Sequence, residues 1–109
     1  MGTDLDEHYE RLLALLVELD SLLTACGDVP WAEWAHRNTE LIQQGQRRGV
    51  ASVRTAFGGM GSLSDLVICP ENGHQVSGDR IALANSELDR LRGGLLLHAT
   101  ALDRLLNKS

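Results

Sequence analysis

Cys69 and His74, five positions apart around Asn72-Gly73, are the nearest approach in this sequence to a reactive pair. A thiol beside an imidazole is a nucleophile with its base, and both groups also ligate metals, with Cys26 or His98 available to complete a tetrahedral set. Zinc spacing, however, pairs ligands two to four residues apart in two clusters, and here one loose pair stands alone. A reactive thiol needs an electropositive, partly exposed setting, whereas Leu66, Val67 and Ile68 place Cys69 in apolar company. Neither cysteine catalysis nor metal binding is expected, and no cofactor is assigned. No two carboxylates stand out as an acid and its base, and Tyr9 belongs to an apolar stripe.

The glycines just before this pair raise a second chemistry. Gly58-Gly59-Met60-Gly61 resembles a phosphate cradle only superficially, since such loops lead from a strand into a helix and are accompanied by a lysine. Here the glycines follow a helix and no lysine is near, so they read as a helix stop with Met60 packed beneath it. Ser62 and Asp65 have capping-box spacing, which predicts a short helical turn ended by Pro70. The competing pattern is Leu66-Val67-Ile68-Cys69, then Asn72-Gly73, then His74-Gln75-Val76-Ser77, which reads as a small β-hairpin and is the preferred expectation. Arg54 and Asp65 are placed to pair across the glycine turn. A binding surface is therefore expected on Arg54, Gly58, Gly59, Met60, Gly61, Ser62, Asp65, Asn72 and His74.

Helices must position this segment. Leu5, Tyr9, Leu12, Leu16, Leu19, Leu23 and Cys26 recur in steps of three and four, predicting an amphipathic helix from Asp4 to Cys26 that Gly27 stops. A second helix opens near Asp28 and Pro30, carries Trp31, Trp34, Ala35, Leu41 and Ile42 inward, and ends at Gly45. A third covers Arg47 to Phe57 with Val50, Val53 and Phe57 inward. The last runs from Asp79 to Leu106 on Ile81, Ala84, Leu88, Leu91, Leu95, His98, Leu102 and Leu105. His98 is thus expected inside or at the edge of the bundle, while His8 and His36 face solvent. Gly93 and Gly94, each costing about 1 kcal/mol relative to Ala, imply a close helix contact or a kink. The expected fold is mainly α: one domain, residues 1–109, built as a small bundle of four main helices with a Gly-rich loop and short hairpin before the last.

Charge narrows the partners. The chain holds 15 acids against 10 bases, and residues 1–28 carry Asp4, Asp6, Glu7, Glu10, Glu18, Asp20 and Asp28 against Arg11 alone. Nucleic-acid binders cluster cations to displace counterions, so nucleic acid is not an expected partner. No apolar run is long enough for a bilayer and no secretory signal precedes the first helix, so no membrane is expected and the location is read as cytoplasmic, with both cysteines as free core thiols. The Leu stripe from Leu91 to Leu106 is either covered within one chain or shared across a homodimer.

The run Val53 to Ile68, with Gly58-Gly59-Met60-Gly61-Ser62 and Asp65-Leu66 at its centre and Asn72-Gly73 after it, resembles the signature of a family of small bacterial proteins known as a domain of unknown function. The resemblance implies a bacterial or phage source, helices on both sides of the motif and coverage of most of the chain. It carries over no activity or ligand. The expectation is a non-enzymatic protein-interaction domain, an immunity protein or antitoxin being one such role. The alternative is a small-molecule- or metal-binding regulator whose pocket lies between the loop, Trp31, Trp34 and His98.

Overall fold

The computed structural model describes residues 3–58 and 61–107. Four helices carry the chain: α1 (Thr3–Ala25), α2 (Val29–Gln43), α3 (Arg47–Thr55) and α4 (Ile81–Leu106). Leu12, Leu16, Leu19 and Leu23 of α1 and Leu88, Leu91, Leu95, Ala99 and Leu102 of α4 are fully buried, which is the three-and-four spacing made solid. Each buried leucine contributes about 1.5–3 kcal/mol relative to exposure. α1 packs on α2 and α4, and α3 bridges α2 and α4 on the other side. The buried residues form one contiguous cluster.

The tight connections follow from glycine and a cap. Gly27 (φ +77°) and Gly45 (φ +71°) adopt left-handed geometry just past α1 and α2. In each case the next two amides bond back to the last turn: Gly27 to Thr24 and Asp28 to Leu23, Gly45 to Ile42 and Gln46 to Leu41, all at 2.9–3.1 Å. That paired closure is the Schellman arrangement, and a Cβ would strain it. Asp28 then caps α2, its Oδ1 accepting the Trp31 amide at 3.1 Å.

Gly94 answers to packing. A Cβ there would stand 2.7 Å from Cδ1 of Leu15, so the glycine lets α1 and α4 approach closely. Gly93 differs: a Cβ would meet nothing within 4 Å.

The hairpin is not formed. Among the described residues there is no strand; Leu63–Asp65, Pro70–Asn72 and Gly78–Arg80 are single 3-10 turns joined by extended chain. The reason lies in α4. Asn85 donates from Nδ2 to the Ile68 carbonyl and accepts the Ile68 amide on Oδ1, both at 2.8 Å, occupying the groups a second strand would need. Pro70 lacks an amide and starts a turn. The capping-box reading is nearer, because Asp65 Oδ2 reaches back to accept the Gly61 amide at 3.0 Å, although Ser62 makes no cap bond.

Candidate functional site

The segment from Gly61 to Ser77 has little regular structure, yet it is fixed by side chains of α4 and by Asp28, the N-cap of α2. Leu63 and Ile68 are fully buried and seat it on the core, with Leu66 and Val76 half-buried beside them. Arg92 of α4 donates from one guanidinium nitrogen to the carbonyls of Leu63, Ser64 and Leu66 at 3.0, 3.2 and 2.8 Å. Its other terminal nitrogen is held by Asp89. Arg92 thereby satisfies carbonyls that irregular backbone leaves without ladder partners. Asn85 fixes Ile68 as described, and Asn72 Nδ2 donates to the Val67 carbonyl at 2.9 Å.

His74 ties the far end to the bundle. Its Nδ1 accepts the Cys69 amide at 3.1 Å, which puts the ring proton on Nε2, where Asp28 Oδ2 accepts it at 2.7 Å. Both side chains are nearly sealed from solvent, at 4% and 10% exposure. The next amide, Gln75, bonds the Cys26 carbonyl at 2.8 Å. One aspartate thus caps α2 with one oxygen and anchors the loop with the other.

These residues surround a cleft of about 220 Å³ lined by Asp28, Trp31, Gly61, Ser62, Asp65, Leu66, Val67, Asn72 and His74. Of the residues named from sequence, Gly61, Ser62, Asp65, Asn72 and His74 come together here. Arg54 does not: it pairs with Asp103 of α4 at 2.9 Å, not with Asp65, whose carboxylate is taken by Gly61. Gly58 is exposed and outside the cleft. Gly59 and Met60 lie outside the described residues. Asp28, Asn85 and Arg92 went unnamed as site residues, although an asparagine deep inside a long helix, where it is a weak former, is a signal that its amide has other work.

Asp28, Ser62, Asp65, Asn72 and His74 each make at least one hydrogen bond within the chain. Neither ring nitrogen of His74 is free to serve as base or ligand. Ser62 and Ser64 share a hydroxyl bond of 2.7 Å. Cys69 is half-buried and its Sγ lies 3.9 Å from the Val67 carbonyl, while the His74 ring bonds the Cys69 backbone amide. Among the described residues, no three His, Cys, Asp or Glu side chains gather as a metal-holding group. Cys26 is buried, which pushes its thiol pKa up, a backbone bond near Asp28 opposing in part.

His98 is remote from the cleft. Its Nδ1 lies 2.8 Å from Nδ1 of His8, so His8 is a half-buried partner on α1 and does not simply face solvent. Burial, then the charges of His8 and Arg11, lower the His98 pKa. The pocket expected between the loop, both tryptophans and His98 is accordingly not assembled. Trp31 lines the cleft, while Trp34, in edge-to-face contact with it at 5.4 Å, lines a separate groove between α2 and α3.

The fold defines a small all-helical domain with an ordered, irregular connection laid across the ends of α1 and α2. Within it, residues 24–77, just under half of the chain, match a family described as Domain of unknown function (DUF6966). The match takes in the Gly-Gly-Met-Gly-Ser region, but not most of α1 or any of α4, so it covers less of the chain than the motif implies. No curated protein and no solved structure matches the chain. Among the described residues, no helix is long and apolar enough to cross a membrane.

Proposed function

We propose that this chain is a non-enzymatic protein-interaction domain that presents the Gly61 to His74 connection as a rigid recognition surface. One observation carries the reading: a stretch with no sheet or long helix of its own is held by Arg92, Asn85, His74 and Asp28, whose bonds run to its backbone or to one another. Holding irregular backbone in one shape in advance lowers the entropy lost on binding, the general benefit of preorganisation. Binding residues are commonly carried on loops positioned by a scaffold. Half-exposed Val67, with exposed Asp65 and Asn72 beside it, supplies an apolar contact within a polar rim. The cleft of about 220 Å³ is below the usual 300–1,000 Å³ of small-molecule sites and suits one inserted side chain.

Among such roles, that of a bacterial, cytoplasmic immunity protein or antitoxin fits a small domain with an excess of acids, which favours a basic partner by electrostatic steering. The test compares wild type with Val67→Glu and with Asp65→Lys as baits in lysate of the source organism, after thermal melts show both variants folded. A partner retained by wild type and lost by both variants supports the reading. Identical capture by all three baits, or none by any, refutes it.

A further inference from the structure

We infer that α4 is also a self-association surface, pairing antiparallel with α4 of a second copy about a two-fold axis near Leu96 and Leu97. Helical spacing puts Asp89, Gly93, Leu96, Leu97, Thr100 and Arg104 on one stripe, opposite the buried Leu91, Leu95 and Leu102. Leu96 and Leu97 are 42% and 63% exposed. Glycine weakens a helix interior relative to alanine, and Gly94 repays this by admitting Leu15. Gly93 has no such reason within the chain, because a Cβ there would meet empty space. It leaves a notch of the kind that lets another helix approach.

Charge selects the occupant. Gly93, Leu96, Leu97 and Thr100 stand at i, i+3, i+4 and i+7, the four corners of a hole for one knob from a facing helix. Seating Leu97 of a second copy in that hole, antiparallel, sets Asp89 of each chain beside Arg104 of the other, giving two equivalent ion pairs. A parallel pairing would set like charges together. Asp89 is 68% exposed and gives Oδ1 to Arg92 of its own chain, which leaves Oδ2 for a partner, and among the described residues Arg104 has no ion-pair partner within its own chain. The isologous arrangement therefore follows from the stripe's own asymmetry of charge. One helix from each copy is a small interface, so the dissociation constant is expected on the order of tens of micromolar.

Sedimentation equilibrium of the full chain from about 1 μM to about 1 mM tests this, with melts confirming that each variant folds. Wild type is expected to dimerise and Leu97→Glu to stay monomeric. Asp89→Lys and Arg104→Glu alone should each weaken association about tenfold, because both copies then juxtapose like charges. An equimolar mixture of the two should recover wild-type affinity, since the heterodimer restores opposite charges at both positions. Wild type that stays monomeric at 1 mM, dimers indifferent to Leu97→Glu, or a mixture no tighter than its components would overturn the inference. The charge variants stand independently should Leu97→Glu fail to fold. For Leu97→Glu and Arg104→Glu, which leave the Asp89–Arg92 pair intact, loss of association with partner capture unchanged would leave the loop reading standing, and the reverse would leave this one.

Discussion

Replacing Asn85 by Ala isolates the contact that makes the connection a fixed object. The side chain satisfies both backbone groups of Ile68, a residue with no exposed surface, so the substitution strands one amide and one carbonyl in the interior. Each stranded group costs about 1–3 kcal/mol. The third bond, from Nδ2 to the Ile81 carbonyl four residues back, adds little, since helix hydrogen bonding already serves that oxygen. Alanine returns about 0.7 kcal/mol of helix propensity. The net loss is about 1–5 kcal/mol, from a total of about 5–15 for a domain of this size, and corresponds to a melting point lower by about 5–25 °C. Asn85→Asp is the sharper control: it keeps the acceptor for the Ile68 amide but turns an oxygen toward two carbonyls, and should destabilise comparably. Thermal melts followed by circular dichroism give the magnitude, and amide exchange gives the location, with protection lost first at Leu66 to Cys69. A drop of under about 2 °C would mean that Leu63 and Ile68 alone seat the connection, and the polar bracing invoked for preorganisation would be wrong.

Three further outcomes are expected. The His98 pKa is lowered in the folded chain by burial, then by His8 and Arg11, so folding disfavours its charged form. The unfolded chain takes up that proton near pH 6.5, so the stability is whole above that value and declines as pH falls from 6.5 toward the lower folded value. Urea midpoints from about pH 8 to about pH 5 should show that decline, and subtracting a His98→Gln series should remove it; identical slopes would contradict the assignment. Half-buried Cys69 should react with a disulfide reagent in the native state, while Cys26, at 5% exposure and with a raised pKa, should react about a thousandfold slower, through opening of the bundle; equal rates would refute this. In dilute solution Gly93→Ala should stabilise by about 1 kcal/mol and Gly94→Ala by little or nothing, because only the latter displaces a Leu15 methyl, and calorimetry showing the opposite order would contradict the α1–α4 packing.

Helices were legible because their signals are local. Period, capping and glycine stops name α1 to α4 within one or two residues of the observed bounds, since each boundary depends on a few neighbours in sequence. The connection was illegible for the opposite reason. Whether Val67 and Ile68 pair with a strand depends on Asn85, 17 residues on, and no local pattern in 66–77 records that α4 supplies both bonds. Similarly, Arg54 had a nearby acid in sequence, yet its partner is Asp103, 49 residues away. His74 was named from sequence for a binding surface, not as a base or a ligand. Its role was set by Asp28, 46 residues earlier, which sequence identified only as the start of a helix.

The matched span has a physical boundary that sequence similarity alone does not explain. Thr24 and Ser77 bracket the backbone bond from Gln75 to the Cys26 carbonyl and the bond from His74 to Asp28, so the span begins and ends at one place in space. Between those points run α2, α3 and the connection, a loop of chain closed by its own contacts. It holds only part of the core: the fully buried leucines of α1 and α4 lie outside it, as do Asn85 and Arg92. The span is therefore closed by bonds of its own but seated by bonds from elsewhere. Asp28 with His74 is an anchor inside the span, whereas the braces from Asn85 and Arg92 come from α4 outside it. The recognition surface proposed here draws on both.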